Sequence, residues 1–271
     1  MKVIFLNKDG MLKNLMKNKE YITYYAKLLL KQKVAGSYLG VLWLFLDPLL
    51  FMLVYMVVIK FLFQSHVPNF HIYVFIGLTT FKLMSGTILM NTSAIVRNKS
   101  IFEQVYFHKF VYPTIYLLVN LYEFLIANTL IVILMLFANP GIPPSFHMLE
   151  FIPVTIIACL FTYGASLIIA HFGVYFFDLR NISDVVFKFL FYTSPIMWSY
   201  AQMSDKIPAA VLTILKLNPL SIIIESYRSV LFLEQSPNYS HLLGLTGVSV
   251  LLIIFGYQLI SKNEDEYGKV I

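Results

Sequence analysis

The chain has 271 residues, a formal net charge of +6, 59% hydrophobic residues, 13% charged residues and a mean hydropathy of +0.75. A soluble domain is about 45–50% apolar and 25% charged, so this composition excludes a water-soluble globule and makes the bilayer the solvent. A helical crossing takes about 20 mostly apolar residues, which allows several crossings and almost no extramembrane domain.

Several chemistries are also disfavoured. The single cysteine, Cys159, lies in an apolar run and cannot form an internal disulfide. The six histidines, at 66, 71, 108, 147, 171 and 241, lack the close spacing of a zinc site, so no metal is expected. The only Gly-Lys pair is Gly268-Lys269, outside any P-loop pattern. Any ATP used would therefore bind, with its Mg, to another polypeptide, and no cofactor is expected in this chain. Membrane lipids are the expected surroundings, and no nucleic-acid partner is foreseen.

Residues 1–40 hold eight lysines against Asp9 and Glu20, too long a charged region for a secretory signal. Thr23, Lys27 and Lys31 recur every fourth position as a polar stripe, while Ile22, Tyr25, Ala26 and Leu28 to Leu30 fill most of the remaining circumference. This pattern predicts an interfacial amphipathic helix over 20–40 with lysines towards anionic headgroups. A plain basic tail is the alternative. Gly36 and Gly40 mark the bend into the first span, 41–63. In that span Trp43, Asp47, Phe51 and Tyr55 share one slowly drifting helical face. A carboxylate there is costly against lipid, so this face should look towards protein or water. Trp43 alone fits an interface belt equally well.

The second span, 70–96, carries Lys82. An amphipathic insert at 98–107 follows, with Ile101, Phe102, Val105 and Tyr106 on one face, and then the third span, 110–138. Glu123 lies near the middle of that span, where it is either functional or a buried structural hydrogen-bonder. A Pro/Gly-rich loop at 139–145 precedes the fourth span, 151–177, and the fifth, 182–200. Within 205–235 two short apolar helices meet at Asn218-Pro219, a cap followed by a first-turn proline. Neither reaches the length of a span, and Lys216, Glu225 and Arg228 make a lipid-exposed crossing expensive. The segment reads as a re-entrant hairpin. The last span, 242–260, leads to a polar tail. Six crossings place both termini on one side, which holds 15 basic residues against three in the opposite loops. The positive-inside rule makes that side cytoplasmic. The fold class is thus an all-α integral membrane protein forming one transmembrane domain over 1–271.

Gly36-Ser-Tyr-Leu-Gly-Val-Leu-Trp with Asp47-Pro48, Phe177-Asp-Leu-Arg-Asn-Ile, and Leu217-Asn-Pro-Leu with Tyr227-Arg228 resemble the permease subunits of type-2 ABC exporters. More narrowly, they resemble the branch that exports teichoic acids and O-antigen polysaccharides on undecaprenyl diphosphate. The family's Phe-Pro pair after the insert is replaced by Phe110-Val-Tyr-Pro113, which leaves the end of that helix open. The resemblance implies a homodimer in the bacterial plasma membrane with two ATP-binding subunits. It implies coupling to the ATPase through Asn98, Lys99, Ser100, Ile101, Phe102, Glu103, Gln104, Val105 and Tyr106. Thr23, Lys27, Lys31, Gly36 and Gly40 would form the interfacial gate. Asn218, Pro219, Glu225 and Arg228 would belong to an outer hairpin, and spans one and five would line the conduit.

Sugar chains need a hydrated path with weakly holding, stackable walls, which aromatic rings provide. Trp43, Asp47, Phe51, Tyr55, Tyr192 and Trp198 are the conduit candidates, and no residues are expected to catalyse a covalent step. Teichoic acid is set slightly ahead of O-antigen by overall resemblance only. A drug-exporting permease of the same superfamily, a polyprenyl-lipid transferase and a purely structural membrane subunit stand as alternatives. No paired carboxylates or nucleophile and base support the transferase.

Overall fold

A computed structural model describes residues 10–62, 69–104, 107–138, 146–204 and 206–270, and all of its regular secondary structure is helical. Among the described residues, five helical stretches are long and apolar enough to cross a membrane, Gly40–Val57, Phe70–Asn91, Val111–Ile133, Phe146–Tyr175 and Tyr239–Val270, or six if the bent pair Ala209–Leu217 and Pro219–Leu231 counts as one. The described chain is therefore a multi-pass membrane fold.

α2 (Lys19–Val34) stands where an interfacial helix over 20–40 was expected, ending at Val34, and a short helix, α1 (Met11–Lys17), precedes it. α2 buries Ile22 and Ala26 within a core that includes Tyr112 and Val119 of α7 (Val111–Ala138), so it is docked on protein as well as amphipathic. It stops before Gly36 and Gly40, whose φ angles of +78° and +50° suit residues without a Cβ. The chain then turns into α3 (Trp43–Leu62), with Pro48 inside it, where the ring removes the hydrogen bond to the Leu44 carbonyl.

The second span is shorter than its hydropathy implied. α4 (Phe70–Asn91) breaks at Thr92-Ser93 and resumes as α5 (Ala94–Arg97). The Thr92 hydroxyl donates to the Leu89 carbonyl (2.7 Å) and the Asn91 amide to that of Thr87 (2.8 Å), competing with the ladder. The break also lies against α8 (Phe151–Tyr175), where a Cβ on Gly173 would stand 1.9 Å from the Thr92 carbonyl oxygen. α6 (Lys99–Gln104) occupies part of the predicted insert. Val105 and Tyr106 lie outside the described residues, as do the side chains of Phe102, Glu103 and Lys60.

α9 (Leu179–Thr193) corrects the fifth span, 182–200: it starts earlier and ends before Pro195. Its 15 residues rise about 22 Å, less than a hydrocarbon core of about 30 Å. The chain continues non-helically through Ser194 (φ −85°, ψ 150°) to a short capped helix, α10 (Tyr200–Met203). α11 (Ala209–Leu217) and α12 (Pro219–Leu231) then meet at an 80° bend. The Asn218 side chain accepts from Leu220 N (3.1 Å), with Pro219 beginning the next helix.

α13 (Tyr239–Val270) runs 32 residues and absorbs the tail expected to follow 242–260. Tertiary contacts hold that extension: Tyr267 is fully buried with its hydroxyl 2.7 Å from His171 Nδ1. Along the α8 and α13 pair, Cβ atoms on Gly164 and Gly256 would stand 2.8 and 2.6 Å from Leu252 and Leu167. Small residues permit this close helix approach in a membrane, where van der Waals packing drives association. One core gathers α4, α7, α8 and α12 around Phe75, Leu83, Phe124 and Tyr227; the other joins α2, α5, α7, α8 and α13 around Ile95, Tyr112, Leu167 and Tyr267. α3 and α9 are left largely uncovered, with Phe51, Val54, Val185 and Phe189 exposed.

Candidate functional site

A cleft of about 420 Å³ opens between α3, α4 and α9. Pro48, Phe51 and Tyr55 line it from α3, Thr79, Lys82 and Ser85 from α4, and Phe187, Lys188, Phe191 and Tyr192 from α9. Three of the conduit candidates, Phe51, Tyr55 and Tyr192, thus share one cleft although they come from distant parts of the chain. Phe187 and Phe191 were not singled out from sequence, yet their i, i+4 spacing puts both on the same face. Phe81 meets them edge-on, with centroids at 6.2 and 5.1 Å. Trp43, at the start of α3, is 40% exposed and away from the cleft lining. Trp198 also lies beyond it, donating its indole N–H to the Tyr192 carbonyl (3.2 Å). The wall is mainly apolar rings, with a few hydroxyls, the ammonium groups of Lys82 and Lys188 and the Asp184 carboxylate, which pairs with Lys188 at 2.6 Å.

Asp47 reaches the site through a charge cluster at its base. Lys82 Nζ is 2.5 Å from Asp47 Oδ2 and 3.6 Å from Glu123 Oε2, while Glu123 Oε1 accepts from Lys33 Nζ at 2.6 Å. Two cations and two carboxylates from α2, α3, α4 and α7 therefore neutralise one another. The Glu123 side chain is only 8% exposed, against 50% for Lys33 and 41% for Lys82. This arrangement lets an otherwise costly carboxylate sit within a span. It ties the end of the predicted gate helix to the first three spans.

On the predicted gate, Lys27 and Lys31 are exposed and the Thr23 hydroxyl donates to the Lys19 carbonyl (2.8 Å). Its opposite face reaches the predicted coupling segment. The Tyr25 hydroxyl donates to Asn98 Oδ1 (2.9 Å), and Asn98 Nδ2 donates to the Ala94 carbonyl (2.6 Å) and the Tyr116 hydroxyl (3.1 Å). Asn98 is thus a buried brace, 2% exposed, whereas Ser100 and Gln104 are exposed on α6 and Lys99 and Ile101 half-buried. Just past the insert, Phe107 stacks on Tyr21 at 4.3 Å. Glu264 of α13 accepts from Lys109 N (2.8 Å) and approaches His108 Nδ1 (3.0 Å). Burial pulls the Lys109 ammonium pKa below its ordinary value, with Glu264 and Asp265 opposing the shift. Gate, insert and C-terminal helix consequently form one connected block.

The hairpin is anchored by Arg228, 1% exposed. Its guanidinium donates to the carbonyls of Tyr73 (3.2 Å), Ile196 (2.9 Å) and Pro195, and to Glu225 Oε1 (2.8 Å). It also lies 3.4 Å from the Tyr73 ring centroid. The planar fork satisfies carbonyls that the non-helical stretch after α9 leaves unpaired. Asn218 adds a bond from its amide to Ser194 Oγ (3.1 Å). Glu225 stands half-exposed beside Arg228.

An all-helical fold with an aromatic cleft between its spans, a neutralised charge cluster and a bent helix pair defines a polytopic membrane protein of transporter build. Residues 24–232 match the family model described as ABC-2 type transporter, and the chain belongs to that family. It is similar to the O-antigen export system permease protein RfbA of Myxococcus xanthus, with 28% identity over 242 residues, 89% of this chain and 92% of that one. Two proteins of the same name from Klebsiella pneumoniae are each 27% identical over 243 residues, 89% of this chain and 91% of theirs.

Proposed function

We propose that this chain is the permease of an ATP-driven exporter that moves a lipid-linked, O-antigen-like polysaccharide out across the bacterial plasma membrane. The cleft carries the reading: Phe51, Tyr55, Phe191 and Tyr192 give it ring faces and hydroxyl edges suited to a sliding sugar chain. The O-antigen names of the relatives favour that polymer over the teichoic acid set ahead by sequence resemblance.

In this reading both termini are cytoplasmic, α6 seats in one of two separate ATP-binding subunits, and those subunits supply the ATP and Mg site. A second copy of the chain would close the cleft, whose α3 and α9 walls are uncovered here. The lipid carrier, an undecaprenyl diphosphate, would approach beside α2, where exposed Lys27 and Lys31 attract its charge. Closure of the ATPase would press α6, and the connected block of α2, α6 and α13 would pass that push to the spans.

The test is export in cells lacking their own O-antigen permease. Co-expression of this chain with its ATP-binding partner and a lipid-linked glycan should restore surface polysaccharide. Stimulation of the partner's ATPase by a hydrophobic drug, with no surface glycan, would favour the drug-exporter alternative. Polyprenyl transfer by the purified chain without ATP would favour the transferase.

A further inference from the structure

A second pocket, of about 170 Å³, lies where α10, α11 and α12 meet the start of α13. It is on the face that carries the turn Phe146–Glu150, where Ser236 Oγ donates to Glu150 (2.9 Å), and opposite the end of α13 that holds Lys109. Pockets for drug-sized ligands run about 300–1,000 Å³, so this one takes a single ring at most.

Its walls are rich in hydrogen-bonding groups. The Tyr200 hydroxyl donates to the Leu215 carbonyl (3.1 Å), which fixes the ring, and the Lys216 ammonium sits 5.4 Å from its centroid. Ser221 is 1% exposed, and its hydroxyl lies beside that of Tyr200 in the pocket wall. Asn238 and His241 form an exposed rim, the His241 N–H donating to Asn238 Oδ1 (3.3 Å). Glu225 is bridged to Arg228 and Lys216 lies over a ring, so neither sign of charge dominates. That balance suits a neutral polyol better than a phosphate or a carboxylate.

The pocket is also linked to the cleft. Tyr55 meets Phe191 at 5.8 Å, Phe191 meets Tyr192 at 5.3 Å, Trp198 bonds to the Tyr192 carbonyl, and Trp198 meets Tyr200 at 5.3 Å. These five aromatic residues lead from the cleft wall to the pocket wall, joined by ring contacts except at Trp198, which bonds to the Tyr192 backbone. We propose that the pocket is a far-face subsite for one neutral pyranose unit of a glycan that leaves the cleft along these residues. The proposal rests on the polysaccharide reading above.

The full-length chain in lipid nanodiscs would be titrated with methyl pyranosides of mannose, glucose, galactose, rhamnose and N-acetylglucosamine, with saturation transfer to the sugar protons as readout. At least one glycoside should bind. The rim variant N238A/H241A and the interior variant Ser221→Leu should bind it about tenfold more weakly, the loss expected for one or two hydrogen bonds. Export in cells should fall in parallel at unchanged membrane levels. No saturation transfer across the panel, or equal transfer in parent and both variants, would overturn the subsite. If the parent exports glycan and the rim variant exports equally well, the subsite falls and the transport reading stands. If the parent exports no glycan under any condition, the transport reading falls, and the subsite falls with it.

Discussion

Lys33 Nζ stands 2.6 Å from Glu123 Oε1, which fastens the end of α2 to the middle of α7 across 90 residues of sequence. Glu123 is nearly buried and Lys33 half exposed, so removing the carboxylate should cost more than removing the ammonium. K33Q should be mild. E123Q should lower thermal stability in nanodiscs further, because Lys82 also loses a neighbour. In the double variant K33Q/E123Q the losses should fall short of additive, with a coupling of about 1 kcal/mol in the double-mutant cycle. Strictly additive single effects would mean that the bridge does not hold α2.

Arg228 offers the largest single destabilisation. Its guanidinium serves three backbone carbonyls and Glu225 from a position only 1% exposed. Arg228→Leu should cost about 3–5 kcal/mol, because the carbonyls of Tyr73, Pro195 and Ile196 lose their donor and Glu225 its partner. Arg228→Lys should rescue little, since one ammonium cannot span the same fan of acceptors. Glu225→Gln, at a half-exposed carboxylate, should stay within about 1 kcal/mol. Unfolding of each variant in nanodiscs, followed by tryptophan fluorescence, tests the order.

Some of this architecture is written locally and some is not. Asn218-Pro219 states a cap and a first-turn proline within two residues, so the hairpin bend was legible. The i, i+4 stripe of Asp47, Phe51 and Tyr55 likewise located one wall of the cleft, while Trp43 fell outside it because hydropathy marks a face but not its depth. Hydropathy also overran α4, whose break at Thr92 depends on Gly173, a residue 81 positions further along. The helical tail was missed for a similar reason. Lys262 to Lys269 read as polar and solvated, and only the contacts of Glu264 and Tyr267 with residues at 108, 109 and 171 reveal what they pack on. Glu123 was visible as an anomaly, but the identity of its partners is a property of the tertiary fold.

Gly173 is expected to be the least tolerant glycine among those described. A Cβ there would meet the Thr92 carbonyl oxygen at 1.9 Å and its carbon at 2.7 Å, both backbone atoms that cannot rotate away. Gly173→Ala should therefore separate α5 from α8 and cost about 1–3 kcal/mol or more. Gly244→Ala, where nothing lies within 4 Å, is the matched control and should be neutral or slightly stabilising. Membrane yield and midpoint temperature of the two variants give the comparison, and equal midpoints would contradict the close approach.

The contact of Glu264 with Lys109 allows transmission to be separated from docking. If α6 seats in the ATP-binding subunit, charging Ile101, Phe102 and Val105 to glutamate should abolish export and weaken co-purification of that subunit. Full export by this triple variant would remove α6 from the coupling path. Glu264→Ala leaves the sequence of α6 intact and removes the acceptor for Lys109 N and His108. It should therefore keep the partner bound while lowering export per ATP hydrolysed. Losing one charge-assisted acceptor costs about 1.5–3 kcal/mol of local stability, enough to loosen the start of α7 without unfolding the spans. Glu264→Gln, which keeps one acceptor oxygen, should fall between parent and alanine. Co-purification and export measured on the same membranes separate the two effects, because a docking defect lowers both and a transmission defect lowers export alone.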